Sequence, residues 1–126
     1  MDFGTQLIGR TEKALNAILE RLLAGPGLTE RQWIALTLTI GGGSIPGALH
    51  IDAAAAERLV AELAERGLVD AGGAATGRGH EVFREVRAAV LDVTHRLWGD
   101  LPEADLAVAG RVLDTVLTRA NALLPA

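Results

Sequence analysis

Three histidines, a run of glycines before the only serine, and two tryptophans are the residues of this 126-residue chain whose types could do chemistry. Asp92 and His95 stand three apart, which puts both on one helix face, where they could share a metal ion or a proton. His50 and His80 fall at a loop and at a helix start, and no His-Glu-x-x-His or comparable ligand spacing joins the three. Asp92 and His95 therefore read as a surface pair, with no metal and no cofactor implied. Gly41-Gly42-Gly43-Ser44 could offer backbone donors to an anion. It lacks the lysine of a phosphate-binding loop and follows no strand, so it reads as a turn. Ser44 has no histidine–acid partner nearby in sequence. Cysteine is absent, which removes thiol nucleophiles, thiolate ligands and disulfides. No catalytic residue is assigned. Trp33 and Trp98 remain, and each buries a large apolar area whether it packs in a core or lines a ligand cleft.

Such residues need elements to position them. Apolar residues make up 49% of the chain but aromatics only 3%, so the core must be built from Leu, Val, Ile and Ala. The length suits one domain, 1–126. A chain this short buries a modest share of its surface alone, which points to a two-fold dimer. No basic-then-apolar leader opens the sequence and no run approaches a membrane span, so a cytoplasmic protein without membrane contact is expected. The formal charge is −4, with 12 basic residues against 16 acidic ones. Nucleic-acid binding needs a basic face, which an acidic body can still carry.

Leu7, Thr11, Leu15, Ile18 and Leu22 recur at steps of three and four and predict a helix over 7–23, ended by Gly25-Pro26-Gly27. Thr29 reads as the cap of a second helix through Trp33, Leu36 and Ile40. Pro46-Gly47 leaves room for one turn between Ile45 and Ile51. Asp52 caps an alanine-rich helix whose apolar face is Leu59, Val60 and Leu63, closed by Gly67. Leu68-Val69 could be one short strand. A long helix is expected from Thr76 to about Trp98, and a last one after Pro102 carrying Leu106, Leu113, Val116, Leu117 and Leu124. The fold class is mainly α.

Three segments of this order resemble the MarR-type winged helix-turn-helix family. Leu28-Thr29-Glu30-Arg31-Gln32-Trp33 is similar to the family's Leu-Thr-x-x-Gln-Trp opening of the second helix. Glu57-Arg58-Leu59-Val60 through Leu63, with Glu65-Arg66-Gly67-Leu68-Val69, resembles the end of the recognition helix leading into the wing. Thr76-x-x-Gly79-x-x-x-Phe83 resembles the start of the helix after the wing. The resemblance implies a helix-turn-helix and remnant wing over about 28–80, with dimerisation helices over about 4–24 and 76–124. It implies contact between the second to fourth helices and double-stranded DNA, and a small apolar or aromatic ligand between the two regions. Trp33, His50, His95 and Trp98 are the ligand candidates, with Phe3 beside them. Arg58, Arg78 and His80 are the DNA candidates.

The departures from the family pattern fall on the part that should hold DNA. Only Asp70 to Ala75 separate Val69 from the next helix, too few residues for two strands and a turn. The recognition helix opens Asp52-Ala53-Ala54-Ala55-Ala56-Glu57, where the base-reading side chains should stand. Alanine can touch a thymine methyl but offers no donor or acceptor. Over residues 52–70, Arg58 and Arg66 face Asp52, Glu57, Glu62, Glu65 and Asp70, a net charge of −3. Arg58 is the best-placed contact, and its competing reading is a pair with Glu62 one turn on. Two functions follow. One is a homodimeric, ligand-responsive transcriptional regulator. The other is a dimer that has lost DNA reading and keeps a small-molecule cleft, with an enzyme in that cleft as the remotest version.

Overall fold

The computed structural model describes residues 1–125, and among them the chain forms six helices. They are α1 (Thr5–Ala24), α2 (Glu30–Gly41), α3 (Ile45–Leu49), α4 (Ala53–Glu65), α5 (Gly77–Trp98) and α6 (Glu103–Leu123). Short polar side chains decide where three of them begin. Thr29 Oγ1 accepts from the Gln32 amide at 3.1 Å, and Gln32 Oε1 accepts from the Thr29 amide at 3.1 Å. This reciprocal cap satisfies two donors that the start of α2 would leave orphaned. Ser44 Oγ accepts from Gly47 at 3.1 Å ahead of α3, and Asp52 Oδ1 accepts from Ala55 at 2.7 Å ahead of α4. α1 ends where Gly27 takes φ 74°, so that the Gly27 and Leu28 amides both reach the Leu23 carbonyl.

The described residues fall into two compact units, Met1–Leu91 and the stretch from Asp92 onward. The core lies in the first. Leu23, Leu28, Ala35, Leu36, Leu59, Leu63, Leu68, Val69, Val82 and Val86 are buried together, drawn from the end of α1, the segment between α1 and α2, α2, α4, the segment after α4, and α5. Leu23, Leu36 and Leu63 are completely inaccessible, and burial of each contributes about 1.5–3 kcal/mol. α3 and α4 meet at His50, whose backbone is left-handed (φ 55°, ψ 44°) and whose amide donates to the Pro46 carbonyl. That tight turn makes α3 and α4 a helix-turn-helix pair.

Beyond α4 the expected short strand shrinks to a single antiparallel bridge between Val69 and Ala75. α5 is then latched to this segment by Thr76. Its hydroxyl donates to the Gly67 carbonyl at 2.6 Å and accepts from the Gly79 amide at 3.0 Å, while its own amide donates to the Leu68 carbonyl at 3.0 Å. Gly79 is buried, and a Cβ there would sit 2.1 Å from the Leu68 carbonyl oxygen. The Thr76-x-x-Gly79 pattern thus has a physical reason: threonine ties the helix start, and glycine lets the helix touch the backbone behind it.

The second unit holds the end of α5 and all of α6. Glu103 and Asp105 stand in the first turn of α6, where negative charge suits the helix dipole. None of α6 is buried, and Val108, Val112, Leu113, Val116 and Leu117 are all exposed. No helix is long and apolar enough to cross a membrane among the described residues.

Gly79→Ala is expected to lower stability by about 2 kcal/mol, because the new methyl must displace backbone in a packed core. Gly77→Ala, whose Cβ would meet nothing within 4 Å, should be neutral or stabilising by about 0.5 kcal/mol. Chemical denaturation of both variants checks this, and equal effects would refute the close contact.

Candidate functional site

A helix-turn-helix reads through the exposed side of its second helix, here α4. Asp52, Ala53, Ala54, Glu57 and Arg58 are all exposed. One carboxylate oxygen of Asp52 is engaged in the helix cap. The alanines present methyl groups only, so Arg58 is the sole cation in the first two turns. The alternative partner expected for it, Glu62, is taken. Glu62 Oε2 accepts from Gln32 Nε2 at 3.0 Å, linking α4 to the start of α2. Arg58 has no ion pair among the described residues. Its guanidinium is left to solvent or to a partner.

The other arginine of α4's end has a structural task. Arg66 donates from Nη1 to the Gly27 carbonyl and from Nη2 to the Pro26 carbonyl, the latter at 2.6 Å. It closes the turn between α1 and α2 from 39 residues away, and this use has no local sequence signature. Counting Arg66 as a free phosphate contact therefore overstates the basic face.

The wing region is equally self-contained. The Asp70 amide donates to the Ala74 carbonyl at 2.8 Å, and the Gly73 amide to the Asp70 carbonyl at 3.0 Å. Asp70 Oδ1 also accepts from the Gly72 and Ala74 amides at 2.9 and 3.0 Å. The Gly72 and Ala74 amides that the tip could show to a phosphate are occupied by the Asp70 carboxylate, and the Gly73 amide by the Asp70 carbonyl. Arg78, one residue into α5, pairs with Glu81 at 3.4 Å. Both side chains are about 60% exposed, so the pair is worth little and can open to another anion. His80 is exposed in the same first turn of α5.

The ligand candidates divide between the two units. Trp33 is half-buried on α2 and stacks on Phe83 of α5, with ring centroids 5.6 Å apart and planes 23° from parallel. The Arg87 guanidinium lies 5.8 Å from the Phe83 ring centre. Sequence reasoning singled out Trp33 but not Phe83 and Arg87 as its neighbours, although Phe83 and Arg87 are one turn apart. His50 is exposed in the α3–α4 turn. His95 and Trp98 belong to the second unit, where both are exposed, Trp98 to 40%. The expected Asp92–His95 pair does not form. Asp92 instead meets Arg96 at 3.8 Å, because a longer cation one turn on reaches the same carboxylate. The His95 ring lies against Gly99, where a Cβ would come within 2.4 Å of Nδ1.

No family model matches the chain, and no curated protein matches it in sequence. Solved structures do match. A transcriptional regulator of the MarR family from Rhodococcus sp. RHA1 superposes with a TM-score of 0.74 at 24% identity, covering 87% of this chain and 88% of that one. CouR from Rhodococcus jostii RHA1, bound to p-coumaroyl-CoA, gives 0.73 at 23% identity over 95% and 93%. A MepR mutant from S. aureus, bound to an oligodeoxyribonucleotide, gives 0.55 at 17% identity over 94% and 99%. The chain has the MarR-type winged-helix fold.

Arg66→Ala should cost about 1–2 kcal/mol of stability, the range for losing charge-assisted hydrogen bonds that are partly solvated. Arg58→Ala should change stability by less than about 0.5 kcal/mol, as exposed substitutions do. Denaturant midpoints of the two variants measure the contrast, and a reversed order would show the assignment to be wrong.

Proposed function

We propose that the protein is a homodimeric transcriptional regulator that binds double-stranded DNA through α4 and responds to a small apolar or aromatic ligand. The observation that carries this reading is the α3–α4 pair, held on α2 in a fold shared with transcriptional regulators, with an uncommitted Arg58 on its exposed side. The dimer is supported by the apolar stripe of α6, which leaves Val112, Leu113, Val116 and Leu117 at 38% exposure or more. A helix that is amphipathic yet unburied needs a second surface. Residues 5–20 and 102–124 of two chains would supply it. The two α4 helices would then enter successive major grooves of a two-fold site.

For the ligand, Trp33 and Phe83 offer a stacked aromatic surface, with Arg87 able to meet an anionic group. The CouR structure holds p-coumaroyl-CoA, and an aromatic ligand of that kind would suit the same chemistry here. His50 in the first unit, and separately His95 and Trp98 in the second, are the other candidate residues. A ligand acts by binding better to one spacing of the two α4 helices than to another.

A second reading keeps the dimer and the cleft but drops DNA. The acidic, alanine-rich opening of α4 and the carboxylate-filled wing favour it. The two readings part on a direct test. Sedimentation should show a dimer at micromolar concentration, and Leu117→Asp should shift it toward monomer; a stable wild-type monomer would refute the interface. Arg58→Ala should abolish operator binding while circular dichroism and dimerisation stay as in the wild type. Operator binding unchanged in that variant would refute the assigned DNA face, and a wild-type dimer with no DNA affinity at any salt would leave the second reading.

A further inference from the structure

Four arginines lie between residues 28 and 80: Arg31, Arg58, Arg66 and Arg78. Arg66 is spent on the Pro26 and Gly27 carbonyls, and Arg78 is paired with Glu81. Neither Arg31 nor Arg58 has an ion pair or side-chain hydrogen bond among the described residues. These two line the same open groove of about 480 Å³, where the first turn of α2 faces α4. Arg31 is exposed.

We infer that this groove is a phosphate seat, with Arg31 and Arg58 closing on one phosphate group from α2 and from α4. Guanidinium groups present forked donors that match phosphate oxygens. Three carboxylates line the groove as well: Glu20, Glu30 and Glu62. Two have partners of their own. Glu62 accepts from Gln32 at 3.0 Å, and Glu20 from Asn16 at 3.3 Å. Each bond engages one carboxylate oxygen, and none of the three acids forms an ion pair with Arg31 or Arg58 among the described residues. Glu30 has no such partner and sets the seat's affinity low. The phosphate can come from a DNA backbone or from a free phosphorylated molecule. The DNA source rests on the regulator reading; the seat itself does not.

Two titrations of the full-length protein test the inference. In the first, inorganic phosphate is added while the arginine Nε–H resonances are followed by NMR. Arg31 and Arg58 should shift together with one midpoint, and Arg31→Ala should weaken the response of Arg58 severalfold. Glu30→Gln should tighten both. In the second, a mixed-sequence DNA duplex is titrated at several salt concentrations. Because both arginines hold one phosphate, Arg31→Ala should weaken DNA affinity severalfold with little change of slope. Arg31→Ala combined with Arg58→Ala should make the slope of log affinity against log salt shallower by about 0.9 for each chain bound. Independent midpoints, or a shift at only one of the two arginines, would overturn the shared seat. If Arg31→Ala leaves DNA affinity and slope unchanged while Arg58→Ala does not, the seat is overturned and the regulator reading survives. If phosphate moves both arginines but no DNA binds, the seat stands for free phosphorylated molecules and the regulator reading fails.

Discussion

The docking of α4 on α2 is the contact from which the rest of this molecule's surface chemistry follows. Leu59 and Leu63 on one side of α4 join Ala35 and Leu36 in the core, so its rotation is set by apolar burial worth several kcal/mol. Two polar straps then fix its far end. Gln32 holds Glu62, and Arg66 holds the Pro26 and Gly27 carbonyls. Gln32 serves twice, capping α2 through Thr29 and reaching across to α4. These straps decide which charges are left over. Arg66, just past α4, is consumed, while Arg58 on α4 has no ion pair among the described residues, and Glu62 one turn on bonds Gln32 instead.

The same bookkeeping explains why the wing adds so little. A winged helix normally extends its DNA contacts with a hairpin. Here the hairpin is reduced to the Val69–Ala75 bridge, with Asp70 folded back on its own tip. The latch of Thr76 on Gly67 and the contact of Gly79 with Leu68 keep the start of α5 firmly in place without a sheet. The fold thus retains the scaffold that carries a wing while offering a phosphate almost nothing there. α6 contributes in a different way. Its apolar stripe has no use within the described residues and gains one only against another surface.

Much of the architecture was legible in the sequence because its signals are local. Thr29 with Gln32, Asp52 before four alanines, Gly25-Pro26-Gly27 and Thr76-x-x-Gly79 each state a cap or a close approach within a few residues, and all the helices they delimit are present. The charged side chains were harder to read because their partners are tertiary. Arg58 and Glu62 have ideal helical spacing, yet a glutamine 30 residues away takes the acid. Arg66 looks like any exposed helix-end cation until the carbonyls of a distant turn come within reach. Asp92 had both His95 and Arg96 within helical reach, and spacing alone could not show that Arg96 would meet it instead of His95. The neighbours of Trp33 likewise depend on how α5 crosses α2.

The central claim is that around α4 only two arginines per chain, Arg31 and Arg58, have no partner among the described residues. It is tested most directly by the salt dependence of wild-type binding to a mixed-sequence duplex. At about 0.9 per neutralised phosphate, one phosphate shared by Arg31 and Arg58 in each chain of the proposed dimer gives a slope of log affinity against log salt of about −1.8. Release of Arg78 from Glu81 takes it no further than about −3.6, with weak binding at physiological salt. A slope near −7, the value for all four arginines of this region on separate phosphates in both chains, would contradict the account by showing that Arg66 also meets phosphate and that Arg31 and Arg58 do not share one.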